Sequence, residues 1–217
     1  MMKSLRMVLM ISLVYTLSAC AWLIPDPPQT LEEMTGVIQG ADSFTVIADF
    51  DHDGETTHYR LEVEQDNVFV RLLQQTQENV ITDFEMAMRY DDDKAVVYDR
   101  VHDIERHETV TAGSDRYNNL RTTLERFMLT DMRELDHAWF THEGEAYVLR
   151  DVHRADLARV LEGLLEPQEA DVMGATATLG EDISLHLNVT LQIDDAVVDL
   201  LIEVSAINMT TVIVPEE

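Results

Sequence analysis

Between residues 183 and 205 the chain alternates apolar and polar side chains almost without exception. Ile183, Leu185, Leu187, Val189, Leu191 and Ile193 are interleaved with Ser184, His186, Asn188, Thr190 and Gln192. Beyond Asp194-Asp195, Val198, Leu200, Ile202 and Val204 alternate with Asp199, Glu203 and Ser205. Neighbouring side chains on an extended strand point to opposite faces. This period of two therefore predicts an antiparallel hairpin with one face on a core and the other in water.

The same signature fills the first half of the chain. Phe44, Val46, Ala48 and Phe50 alternate with Thr45, Ile47 and Asp49. Asp53-Gly54 then offers residues that tolerate the positive φ of a tight hairpin turn. Tyr59, Leu61 and Val63 return against Arg60, Glu62 and Glu64, and a third run covers 68–73. Phe84, Met86, Met88 and Tyr90 alternate, Asp91-Asp92-Asp93 turn, and 95–101 come back. Ahead of these strands, Thr30 and Glu33 form the T-x-x-E pattern that satisfies free amides at a helix start. Leu31, Met34 and Ile38 recur at helical spacing, and Gly40 marks the stop. The first hundred residues read as one helix followed by an antiparallel meander.

Two more helices interrupt the strands. Over 115–130, Tyr117, Leu120, Leu124, Phe127 and Met128 share a face, with Ser114 as N-cap. Trp139-Phe140 and residues 145–150 read as a short hairpin around Glu143-Gly144. Over 152–166, Leu157, Val160, Leu161, Leu164 and Leu165 form one stripe, with Asp151 as cap and Pro167 beyond the end. A last strand is expected at 210–214, ending at Pro215. No repeat, low-complexity tract or interdomain linker appears, so 30–217 read as one domain.

The first twenty residues carry an address. Lys3 and Arg6 precede an apolar stretch at 7–17, of signal-peptide length and short of the ~20 residues a bilayer span needs. Leu17-Ser18-Ala19-Cys20 resembles a bacterial lipobox, in which a cysteine is diacylated and becomes the mature N-terminus. Cys20 is the chain's single cysteine, which excludes a disulfide framework and a thiolate-clustered metal site. Residues 1–19 then form a signal peptide. Residues 20–29, with Pro25, Pro27 and Pro28, form the lipidated cysteine and a stiff tether. The expected location is the outer face of the cytoplasmic membrane, or the outer membrane in a two-membrane cell.

Charge narrows the partners. Fifteen Lys+Arg stand against 42 Asp+Glu, a formal net charge of −27, so the basic footprint of a nucleic-acid binder is missing. So acidic a body is repelled by anionic head groups, and membrane attachment falls to the acyl chains on Cys20. An apolar content of 46% still suffices for a sizeable core.

Motifs for chemistry fail one by one. Asp49-Phe50-Asp51-His52-Asp53-Gly54 opens like a calcium loop, but the twelfth position is Arg60, whose cation would be repelled by the metal. A hairpin turn is the better reading. His102 and His107, five apart, do not share a strand face. His186 falls on the polar side of its strand. No H-E-x-x-H, G-x-S-x-G or phosphate-cradling loop occurs, and no nucleophile constellation supports a hydrolase. No cofactor, metal or catalytic residue is assigned. Met34, Met86, Met88, Met128, Met132, Met173 and Met209 read first as fillers of core gaps.

The helix running into the first strand (Thr30-Leu31-Glu32-Glu33 to Ser43-Phe44-Thr45-Val46) is similar to the opening of the LolA-like superfamily of envelope lipoproteins and carriers. Trp139-Phe140 before Tyr147-Val148-Leu149 is similar too, as is the finish from Ile207-Asn208-Met209 to Pro215. The family's usual aromatic and glycine near Asn208 are replaced here. The resemblance spans about residues 30–215. It implies an α+β fold: a large curved antiparallel sheet, a half-open β-barrel, wrapped around about three helices. It also implies an apolar cavity for lipid or lipoprotein acyl chains. The core-face residues nominated to line such a cavity are Phe44, Val46, Met86, Met88, Leu120, Leu124, Phe127, Leu157, Leu161, Leu185, Leu187 and Leu200. The expected function is non-enzymatic acyl-chain holding by a monomer. The alternative is an envelope protein-protein interaction or sensor module on the same fold.

Overall fold

A computed structural model describes residues 27–91, 93–128, 132–165, 170–180 and 182–214. The segment expected to be a signal peptide, Cys20 and most of the expected tether lie outside the described residues. The first element, α1 (Leu31–Gln39), starts where the Thr30 side chain accepts the Glu33 N–H, and Gly40 caps its end. The Glu33 carboxylate reaches back to the N–H of Gln29 at 2.7 Å, one residue earlier than the usual reciprocal partner. Leu31, Met34 and Ile38 are buried, as their spacing requires.

Eleven strands form one curved, open antiparallel sheet, and the α+β half-open barrel is what the chain adopts. A first meander comprises β1 (Ser43–His52), β2 (Glu55–Glu64), β3 (Asn67–Thr76), β4 (Val80–Asp91), β5 (Lys94–Val101) and β6 (Ile104–Thr111). A second comprises β7 (Phe140–Glu143), β8 (Ala146–Leu149), β9 (Asp171–Gly180), β10 (Ser184–Ile193) and β11 (Ala196–Ser205). They join at β1–β11, in register from Thr45↔Ser205 to Phe50↔Leu200, giving the order 6-5-4-3-2-1-11-10-9-8-7. At the first hairpin Asp53 and Gly54 take φ values of 51° and 77°, a geometry that suits the pair and would strain bulkier residues. The apolar face expected for β1, β10 and β11 is the buried one: Phe44, Val46, Ala48 and Phe50 are buried, as are Leu185, Leu187, Val189, Leu191, Leu200, Ile202 and Val204.

Helices cover the inner face. α2 (Asp115–Met128) bridges the two meanders and touches β3 and β6, with the Tyr117 N–H donating to Ser114 Oγ at 3.2 Å. α1 and the later helix α3 (Arg154–Val160) lie on β9. α4 (Glu162–Leu165) touches α2.

The structure differs from the sequence reading in five places. The single helix expected at 152–166 is broken into a 3-10 turn at Asp151–His153, then α3 and α4. Leu161 sits at the break, and Gly163 weakens helical continuity just beyond it. Breaking there lets Leu157, Val160, Leu161 and Leu165 all be buried. Asp151 does not cap this helix; its carboxylate takes Arg154 Nη2 at 2.6 Å, and α3 begins after His153 without a side-chain cap.

Strands β6 and β9 escaped the alternation test. β6 lies at the sheet edge and buries only Val110 among its apolar residues. In β9 the register slips between Thr190↔Gly174 and Leu191↔Val172, so Met173 bulges outward and the period breaks. Where helices press on it, β9 offers Ala175 and Ala177, too small to register as an apolar stripe.

Finally, residues 210–214 alternate in burial but join no sheet. They lie as a strap across the outer face of the first meander. Thr210 bonds Thr45, and the Val212 N–H donates to Glu64 Oε2 at 3.0 Å. Val214 packs on Ala87 and Tyr98, with Phe69 and Val96 beside them. Burial alternates because a chain lying flat on a sheet face also hides every second side chain. Pro215 lies outside the described residues.

Candidate functional site

The nominated lining residues converge. Phe44 and Val46 on β1, Met86 and Met88 on β4, Leu185 and Leu187 on β10 and Leu200 on β11 face Leu120 and Leu124 of α2, Leu157 of α3 and Leu161 after it. All belong to one core, and none is more than 6% exposed. In this conformation they pack as core, out of reach of solvent. The side chain of Phe127 lies outside the described residues.

The inner apolar stripe does not end where the helices end. Phe84 stands on the same face as buried Met86 and Met88, and its cross-strand partners are Leu72 and Val101. Val101 is in turn paired with Ile104 at the edge. Leu72 and Phe84 are partly buried against the core, whereas Val101 is 47% and Ile104 63% exposed. A continuous band therefore runs from the packed interior to water at one end of β4–β6. Sequence reasoning missed Ile104, because its strand carries too little alternation to be recognised.

Toward the opposite end of these strands the N-terminal turn of α2 is held by two contacts. Arg116 Nε donates to both carboxylate oxygens of Glu108 on β6, at 3.0 and 3.2 Å, and these bonds hold the guanidinium's pKa above its usual value. The Tyr117 ring meets the Tyr90 ring edge to face, centroids 5.9 Å apart. Burial, with the hydrogen bond to Tyr117, pushes the Tyr90 phenol well above the ordinary tyrosine range.

The outer face is more polar than the inner one, and two hollows on it are lined by described residues. One, of about 300 Å³, lies over Ile47, Asp49, His186, Leu201 and Glu203. The other, of about 570 Å³, lies between β1–β4 and the C-terminal strap, with Arg60, Glu62, Arg71, Glu85, Met209 and Ile213 among its walls. One row of aligned residues crosses it: Ile47, Arg60, Arg71, Glu85, Arg100 and Glu105 on β1 to β6. Arg100 grips Glu85 at 2.8 Å and both oxygens of Asp83 at 2.8 and 3.1 Å, which holds its pKa above the usual guanidinium range. His186 lies on the outer face, bonded to Ser184 Oγ at 3.1 Å.

Among the described residues no three His, Cys, Asp or Glu side chains gather to hold a metal ion. No described helix is long and apolar enough to cross a membrane. No family model, curated protein or solved structure matches the chain.

Proposed function

We propose that the chain is a lipid-anchored envelope lipoprotein of the LolA-like kind, tethered through Cys20, that holds an acyl chain between its sheet and its helices without bond chemistry. The apolar band from the core through Phe84 and Val101 to exposed Ile104 carries this reading. A hydrocarbon tail landing on it gains about 0.8 kcal/mol per buried methylene. To pass beyond Phe84 the tail must displace side chains that now fill the interior. α2, whose Leu120 and Leu124 pack into that interior, is the element that must yield, while the Arg116–Glu108 and Tyr117–Tyr90 contacts hold its first turn toward the far end of the strands. Binding by partition needs neither nucleophile nor metal.

Native mass spectrometry of the full-length protein, extracted in a neutral detergent, tests the proposal. The expected spectrum shows one acyl-bearing lipid retained beyond the covalent anchor, and metabolic palmitate labelling that disappears in Cys20→Ser. Protein that reproducibly flies empty would overturn the holding function. Labelling that survives in Cys20→Ser would overturn the anchor.

A further inference from the structure

Arg60 and Arg71 stand directly opposite each other on β2 and β3, both on the outer face. Like charges at opposed positions destabilise a sheet, and this pair occurs in a chain where acidic residues outnumber basic ones 42 to 15. Carboxylates for Arg71 are near but committed. Glu85, its partner on β4, is bound by Arg100 Nη2 at 2.8 Å, and Glu62 by Arg60 Nε at 2.8 Å. Arg71 is exposed and makes no ion pair or hydrogen bond among the described residues. Its guanidinium opens on the hollow of about 570 Å³. The strap's side of that hollow offers apolar surface, Met209 and Ile213 at 74% and 71% exposed, and Phe69 stands two residues from Arg71 on the same face of β3.

We propose that this outer hollow binds an amphiphilic oxyanion, a carboxylate or phosphate group carried on an alkyl chain. The head group lies between Arg60 and Arg71, and the chain lies against Phe69, Met209 and Ile213. An oxyanion there supplies the counter-charge that the row of strands withholds from Arg71, and a guanidinium pair can meet it with several parallel N–H donors. The strap forms the apolar wall, because burying Thr210 and Val212 on the sheet turns Met209 and Ile213 outward. This site lies on the face opposite the acyl band and does not depend on it.

Equilibrium dialysis of the full-length protein in a neutral maltoside detergent, with protein-free micelles as the blank, reads the site. The probes are octanoate and octyl phosphate, with acetate and inorganic phosphate as their chainless counterparts. The expected result is saturable binding of an alkyl probe, at least tenfold weaker in Arg71→Gln and unchanged in Arg159→Gln on α3. The chainless anions bind at least tenfold more weakly, and whichever alkyl probe binds tighter identifies the head group. Arg71 is exposed and unpaired, so its replacement leaves the fold intact. Binding that survives Arg71→Gln would place the probe on the inner band and overturn the proposal, as would no binding above the blank.

Discussion

The hydroxyls of Thr45 and Thr210, 165 positions apart in the chain, share a hydrogen bond of 2.9 Å and are both buried. Thr210 also donates to the Ala206 carbonyl at 3.1 Å, so the hydroxyl of Thr45 is the donor in the shared bond. This link fastens the strap to the outer face. Thr210→Val strands the buried Thr45 hydroxyl and is expected to cost about 1–2 kcal/mol, whereas Thr45→Val leaves Thr210 its bond to the Ala206 carbonyl and should cost less. The double replacement removes both groups and should cost clearly less than the two singles added together. Urea unfolding of the four proteins measures the difference.

Arg100 sits among Asp83 and Glu85 at 18% side-chain exposure, with the two carboxylates as sheltered as itself. Arg100→Met leaves two partly buried negative charges side by side and should destabilise the protein by about 2–3 kcal/mol. Arg100→Lys keeps the charge but not the fork that spans both partners, and should recover less than half of the loss. Denaturant midpoints at fixed ionic strength decide this.

Tyr90 gives the fold an alkaline limit. Unfolded tyrosine ionises near about pH 10, while the folded phenol keeps its proton to higher pH because it is buried and bonded to Tyr117. The folded-state value is the raised one. Its contribution is therefore complete below about pH 10 and is lost as pH climbs from there, where the unfolded chain binds fewer protons. Tyr90→Phe should lower stability slightly at neutral pH and flatten its decline above about pH 10 by up to about 1.4 kcal/mol per pH unit. Paired thermal melts at pH 9 and 11 show the crossover.

At the end of the inner band, Ile104 is mostly in water, so Ile104→Arg should shift stability by no more than about 0.5 kcal/mol. The charge it places at the exposed end should abolish retention of the acyl-bearing lipid. Equal lipid retention in both proteins would mean the chain enters elsewhere.

The fold was legible wherever strands were buried on one face and wet on the other. β1, β2, β10 and β11 announced themselves by alternation, and Thr30 with Gly40 bounded α1. Legibility failed where that contrast vanished. The edge strand β6 has too little buried surface to write a pattern, and β9 has a bulge at Met173 and alanines under helices. The strap wrote a strand-like pattern without being one, since lying on a face and lying in a sheet hide alternate residues alike. The nominated residues, Phe127 aside, come together because they are core. Ile104 and Arg71 were passed over because their meaning comes from cross-strand register, which a linear sequence does not display.

The seam between β1 and β11 ties residue 50 to residue 200. During synthesis, β1 must wait with one side unpaired until β11 has been made. Such late closure is slow and exposes a sticky margin. A polypeptide built this way depends on being kept apart from its neighbours until β11 is delivered, and termination near residue 195 would leave the two meanders unjoined, with β1 and β10 as open, aggregation-prone edges.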